Sequence, residues 1–264
     1  MINSCKHTFV VLAYKETPLL QQCIESVEDQ SIKTNVVIAT STPNDYIKST
    51  AEKYNLPLIV NPESKGIGYD FNFALNCVKT DIVTIAHQDD IYERDYCEEI
   101  CRSAEANKNA SIVFTDYYEI RNSTKEYNNI NLKIKRFLLL PLRLRTLRKS
   151  GFARRFALCF GNAISCPSVS YIKDNIPDDL FLSTLRCNID WEAWEKLLST
   201  KTPFIYINKC LMGHTISEET TTTSIIKQGI RTKEDLYMFK KFWPSPIAKL
   251  LQKIYSTSEK GNNL

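Results

Sequence analysis

Glycine is scarce, with 7 residues in a chain of 264. That excludes collagen-like, glycine-rich linker and glycine-rich repeat architectures, and no internal repeat or low-complexity tract is present. No glycine follows the first apolar run, where Tyr14-Lys15-Glu16-Thr17-Pro18 stands instead. A dinucleotide-binding dehydrogenase needs G-x-G-x-x-G at that place. A nucleotidyltransferase would show a glycine-rich basic loop there, so neither class is supported. No apolar stretch approaches the roughly 20 residues that span a bilayer, and the polar start, Met1 to His7, lacks a secretory leader pattern. The expectation is a cytoplasmic protein, peripheral at the inner face of the cell membrane. CxxC is missing too. The nine cysteines are an odd, scattered set lying mostly in apolar runs, as small core hydrophobes of a reducing compartment do. Cys97 and Cys101 are four apart, but no further ligands stand near them in sequence for a zinc site.

Acidic residues are absent between Tyr127 and Ile172, a stretch that holds Lys133, Lys135, Arg136, Arg143, Arg145, Arg148, Lys149, Arg154 and Arg155. The whole chain carries only +4, so the remainder is net acidic. Such a block signals a partner rather than a fold. Within 132–156 the cations alternate with Phe137, Leu138, Leu139, Leu140, Leu142, Leu144, Leu147 and Phe152. The tail repeats the theme with Phe239-Lys240-Lys241-Phe242-Trp243 and Ile247, Leu250, Leu251, Lys253, Ile254 and Tyr255. Apolar stripes flanked by cations suit an interfacial helix on an anionic membrane surface. The competing reading packs the leucines on the core and leaves the arginines as a solvated face. Nucleic acid is not an expected partner, because the rest of the chain is acidic and no recognition motif is present.

What is present is ordinary globular composition, 43% hydrophobic and 24% charged, and a regular alternation. Phe9–Ala13, Val36–Ala39, Leu58–Val60, Asp81–Ala86 and Ile112–Phe114 read as short buried strands. Between them lie helical patterns opened by Thr17-Pro18, by Asn44 or Asp45, by Gly66 and by Arg94. This order predicts an α/β fold, a mostly parallel sheet with helices on both faces. A C-terminal helical part over 232–255 is expected, broken by Pro244 and Pro246. Ligands of such sheets bind beyond the carboxyl ends of the strands.

Two acidic groups stand where chemistry is expected. His87-Gln88-Asp89-Asp90 follows the fourth strand directly. Adjacent carboxylates there are hard oxygen ligands for Mg²⁺ or Mn²⁺, although they could equally cap a following helix. Asp190, in Asn188-Ile189-Asp190-Trp191-Glu192-Ala193-Trp194-Glu195, fits either a helix cap or a general base among apolar neighbours. Trp191 and Trp194 fit one wall of a sugar site or plain core.

Five segments in this order resemble family 2 glycosyltransferases of the GT-A fold. Phe9 to Gln30 is similar to that family's opening strand, substrate loop and first helix. Asn61-Pro62-Glu63-Ser64-Lys65-Gly66-Ile67-Gly68 followed by Asn72 resembles its NPxxxG…N segment. His87-Gln88-Asp89-Asp90 resembles its DxD-type metal motif, and Asp190 the aspartate of its ED motif. Gly161 to Val169 resembles an acceptor-side segment of a bacterial branch.

The resemblance implies a Rossmann-like, nucleotide-diphospho-sugar transferase fold. It also implies a division into a nucleotide-sugar half (1–120), an acceptor half (121–225) with the basic segment 132–156, and an amphipathic tail (226–264). It implies Asp190 as general base in an inverting transfer. The donor, a UDP- or dTDP-sugar by family habit, would meet Ala13, Tyr14, Glu16, Thr40, Ser41, Lys65, Gly66, Asp70, Asn72, Gln88 and Asp89. A divalent metal, Mn²⁺ or Mg²⁺, would sit on Asp89 and His214. The acceptor, a glycan on a polyprenyl-diphosphate carrier of cell-envelope polysaccharide synthesis, would meet Trp191, Glu192 and Asp116. Three positions depart from the family pattern: His87 replaces the first acid of the metal motif, Thr40-Ser41 replaces an acidic pair, and Ser217 falls where relatives have histidine, with His214 its neighbour. These departures keep an alternative open, a catalytically degenerate GT-A domain that binds a glycan or a partner.

Overall fold

The structure is a computed structural model that describes residues 6–63, 65–216 and 229–260, with the side chains of 257–260 excepted. The first half follows the expected alternation. Strands β1 (His7–Leu12), β2 (Asn35–Thr40), β3 (Leu58–Val60) and β4 (Ile82–His87) alternate with helices α1 (Leu19–Glu28), α2 (Asp45–Lys53) and α3 (Ile67–Asn76). All four strands pair in parallel, in the order β3-β2-β1-β4. Their apolar residues point to both faces: Val10 and Ile85 share one core with Phe71 of α3, while Phe9 and Val11 share the other with Ile24 of α1. Asn44 caps α2 by accepting from Ile47 N at 2.8 Å, which settles the choice between Asn44 and Asp45. All four carboxyl ends therefore lie along one edge of the sheet, with His87 beside Leu12 and Leu12 beside Ala39.

The second half departs from simple alternation. Asp90 leads into a two-residue strand, β5 (Ile91–Tyr92), before α4 (Tyr96–Ala106) and the long β6 (Ile112–Arg121). β6 does not join β4. Strand β8 (Val169–Ile172) lies between them, antiparallel to both, because the chain first makes a hairpin with β7 (Thr124–Glu126) and passes through helices α5 (Ile130–Arg143) and α6 (Gly151–Cys159). Strand β9 (Phe204–Thr215) then pairs parallel to β6, and antiparallel to β5 at its far end. The nine-stranded sheet is thus parallel at one side and mixed at the other. β6 crosses residue 120, so the two halves share one sheet.

Helix α7 (Ile189–Leu197), followed after β9 by α8 (Ile230–Phe242) and α9 (Ser245–Lys260), closes one face. Pro244 separates α8 from α9 as its missing N–H requires. The basic segment is two helices, and its cations do not form one free surface. Arg136 pairs with Asp116 at 2.6 Å, Lys135 turns inward onto Tyr117, and Arg154 is buried with its guanidinium on the carbonyl of Leu197 at 3.1 Å. Leu132, Leu138, Leu139 and Leu142 are core residues, whereas Ile130, Ile134, Phe137 and Phe152 are exposed. The leucines of one face thus pack on the core, as the competing reading has it, and the opposite face leaves apolar side chains exposed. No helix among the described residues is long and apolar enough to cross a membrane.

Candidate active site

The loops at the carboxyl ends of β1 and β4 are tied together by one amide. Gln88 accepts from Tyr14 N at 2.8 Å and donates to Tyr14 O at 2.7 Å. Ala13 is buried, its N–H on Ala39 O at 2.9 Å, while Tyr14 and Glu16 stand exposed at the mouth. At the next strands Asp70 gathers three elements. It accepts from Ser41 Oγ at 3.0 Å and from Asn61 Nδ2 at 2.9 Å, joining α3 to the ends of β2 and β3. Thr40 is buried and its hydroxyl accepts from Thr42 N. Gly66, at φ 114, opens α3 in a conformation that side chains disfavour. Lys65 is exposed and paired with Glu63 at 2.9 Å, and Asn72 accepts from Phe181 N at 2.9 Å. The expected donor residues thus fall on one edge, Asn72 serving as a brace.

The carboxylates after β4 do not cap a helix. His87, Asp89 and Asp90 each bring one ligand atom within 4.8 Å of the others. Asp90 is fully buried and accepts from His214 Nδ1 and from Thr215 N, both at 2.9 Å. Its second oxygen, and Nε2 of His87, are buried without a hydrogen-bond partner among the described residues. Buried polar atoms are seldom left so, and a divalent cation held by this cluster would supply the missing partner. Burial and the neighbouring Asp90 raise the pKa of Asp89, and burial keeps His87 neutral, the form that ligates metal. The donor set therefore fits a cation. It differs from the expected pair: Asp90 joins Asp89 and His87, while His214 braces Asp90. Burial works against charge on His214, but Asp90 outweighs it and raises its pKa. Asp90 stood in the sequence motif, and its burial was the missing signal. Ser217 lies outside the described residues.

Asp190 lies in the first turn of α7, whose N-cap is Asn188. Its carboxylate accepts from Asn162 Nδ2 at 2.7 Å and from Trp191 N at 2.8 Å. Burial raises its pKa, and the two hydrogen bonds with the charges of Arg231 and Lys135 hold the rise in check. The Asp190 and Asp90 charges both reach the buried thiol of Cys166 and raise its pKa after burial itself. Lys135 donates to Tyr117 OH at 2.7 Å, and the Tyr117 ring meets His214 edge-on with centroids 6.2 Å apart. A cation counted with the membrane stripe thus stands at the rim of the site.

The expected acceptor residues fare differently. Trp191 is completely buried, with its indole N–H on Leu158 O at 3.1 Å and its ring packed on Phe239, Phe242 and Tyr255. It is core, not a wall of a sugar site, because the aromatic spacing serves the contact of α7 with α8 and α9. Trp194 is equally buried, stacked on Tyr171. Glu192 is committed to Lys241 at 3.1 Å and to the Ser183 hydroxyl. Asp116 is committed to Arg136 and to Tyr117 N.

Comparison with known proteins bears on this site. The description Glycosyl transferase family 2 matches residues 8–211. A putative glycosyltransferase EpsH of Bacillus subtilis (strain 168) is 24% identical over 102 residues, 37% of this chain and 30% of the relative's own length. Among solved structures, residues 1–349 of S. aureus TarS align with a TM-score of 0.58 and 12% identity, covering 94% of this chain and 69% of that one. The same TarS segment in complex with UDP-GlcNAc aligns with a TM-score of 0.54 and 14% identity, covering 90% and 71%. The mannosyltransferase PcManGT of Pyrobaculum calidifontis, in complex with GDP-Man and Mn²⁺, aligns with a TM-score of 0.58 and 15% identity, covering 97% and 75%. At these identities the structural likeness is one of fold, the GT-A fold.

Proposed function

We propose that this chain, which belongs to Glycosyl transferase family 2, moves a sugar from a nucleoside-diphosphate sugar to a glycan hydroxyl with inversion at the anomeric carbon. The observation that carries the reading is the pairing of Asp190, half-buried and held by Asn162, with the His87, Asp89 and Asp90 cluster at the end of β4. A half-buried carboxylate whose pKa is raised takes up a proton more readily than a free one, as a general base requires. Asp190 accepts the proton of the acceptor hydroxyl, and the oxygen attacks the anomeric carbon from the side opposite the nucleotide. The bond to the diphosphate breaks, and the nucleoside diphosphate leaves with the bonding electrons. Asn162 and Trp191 N keep the carboxylate oriented. His87, Asp89 and Asp90 would hold a divalent cation, which when bound supplies positive charge against the leaving diphosphate. Lys135 adds a fixed positive charge nearby.

UDP- or dTDP-sugars are the proposed donors. UDP-GlcNAc in a TarS complex supports the uridine reading, whereas GDP-Man with Mn²⁺ in the mannosyltransferase supports the metal and leaves the base to the test. The proposed acceptor is a glycan on a polyprenyl-diphosphate carrier, as in cell-envelope polysaccharide synthesis. Support comes from the exposed faces of α5, α6 and α9. Phe137 and Phe152 are 61% and 75% exposed, Leu250 and Ile254 each 59%, and Lys133, Lys149, Lys249 and Lys253 flank them. Such faces suit the inner, anionic surface of the cell membrane. Flotation with vesicles containing anionic lipid tests this. The wild type is expected to float and Phe137→Ser/Phe152→Ser to stay behind, and equal flotation of both removes this face from membrane binding. For the transfer itself, Asp190→Asn is expected to abolish turnover and keep donor affinity within a few-fold, and full turnover would remove Asp190 from the mechanism.

A further inference from the structure

The base stands in the first turn of α7, where a helix has free N–H groups and frays most readily. Asn188 is the N-cap of α7 but makes no side-chain cap bond. The N–H groups ahead of the helix are met from elsewhere. Glu234 of α8 accepts from Arg186 N at 2.7 Å with one carboxylate oxygen, and from Cys187 N at 2.8 Å and Asn188 N at 3.1 Å with the other. The Asn188 side chain donates to Asp235 at 2.8 Å. Farther along α8, Lys241 bridges Glu192 at 3.1 Å and Glu195 at 2.8 Å, and Tyr237 OH donates to Glu192. Glu234 and Asp235 are buried, at 8% and 1% exposure. All these partners lie beyond residue 211, outside the stretch that matches the family.

We propose that Glu234 is a positioning residue for Asp190, acting through the backbone of 186–188, and that α8 is therefore part of the catalytic apparatus. The proposal rests on the reading of Asp190 as general base. A buried carboxylate at the positive end of a helix, accepting three backbone N–H bonds, holds that end in one place. A base must lie at hydrogen-bond distance from the atom whose proton it removes, and a misplacement of about 1 Å can cost about 100-fold. Without the clamp the first turn of α7 loosens, water reaches Asp190, and the burial that raises its pKa is relieved.

The test uses the full chain and nucleotide release from a UDP-sugar with an acceptor, for wild type, Glu234→Gln, Asp235→Asn, Lys241→Ala and Asp190→Asn. Gln keeps the shape of Glu234 and turns one acceptor into a donor facing an N–H. Glu234→Gln is expected to lower kcat by about 10- to 100-fold, to keep the donor KM within about 2-fold, and to move the acid limb of the kcat profile to lower pH. Asp235→Asn moves the limb the same way by less, and Lys241→Ala, which removes the ion pairs with Glu192 and Glu195 but no bond to 186–188, leaves it in place. The position of a pH limb does not depend on how much protein has folded. Limbs unmoved in Glu234→Gln and Asp235→Asn, with kcat reduced only in proportion to folded protein, overturn the proposal. If Glu234→Gln does not fold, the limb in Asp235→Asn decides. Wild-type turnover in Asp190→Asn would instead sink the assignment of the base and leave the clamp a purely structural one.

Discussion

Asn162 holds Asp190: its amide donates to the carboxylate across 2.7 Å. The bond joins the turn after α6 to the first turn of α7, and it favours the ionised form of a group that burial disfavours. Asn162→Ala removes it. The pKa of Asp190 then rises further, so the acid limb of the kcat profile is expected at higher pH than in wild type, with kcat at neutral pH down by about 10-fold. An unchanged profile would mean that the pair has no part in turnover.

The wild-type profile follows from the same balance. A base works when ionised, so activity is present above its pKa and lost as pH falls through it. Burial raises the pKa of Asp190 from its ordinary value. Turnover should therefore decline on the acid side at a higher pH than an unperturbed aspartate would set. Activity that persists until ordinary carboxylates protonate would contradict the assignment of Asp190.

The metal cluster makes a separate claim. Asp90 is the buried member, with one oxygen on His214 and Thr215 N and the other without a partner among the described residues. Both Asp89→Ala and Asp90→Asn are expected to weaken Mn²⁺ binding by at least about 10-fold. His214→Ala, which removes only the brace, should cost less than either. Calorimetric titration with Mn²⁺ and UDP reads this directly, and wild-type affinity in Asp90→Asn would take Asp90 out of the site.

Trp191 distinguishes core from sugar wall. Trp191→Phe removes the indole bond to Leu158 O, which keeps the N–H groups of Phe160 and Gly161, and leaves space beside Phe242 and Tyr255. A loss of about 1–3 kcal/mol is expected, seen as a lower Tm, with the acceptor KM unchanged. A raised acceptor KM at unchanged stability would restore the wall.

The sequence made the local features visible. The apolar run ending at His87 announced both a buried strand and the residues beyond its carboxyl end, because strand and motif are contiguous. Asp190 was visible for the same reason, within one helical turn of its neighbours. What escaped was every relation across long stretches of chain. Asp90 meets His214 across 124 positions, and Glu234 meets Asn188 across 46. No periodicity encodes such pairs. Strand β8 escaped because an antiparallel strand slipped between β4 and β6 reads like any other short apolar run. The charge count of 132–156 concealed Lys135, Arg136 and Arg154, since a cation turned inward has the same letter as one in solvent.

The most direct measurement of the central claim is the Tm of the purified chain with UDP-, dTDP- and GDP-sugars, with and without Mn²⁺. A ligand that binds only the folded state raises Tm. A rise is expected with a UDP- or dTDP-sugar that requires Mn²⁺ and disappears in Asp89→Ala. No rise with any nucleotide sugar, with or without Mn²⁺, would contradict a donor site at the carboxyl ends of β1 to β4.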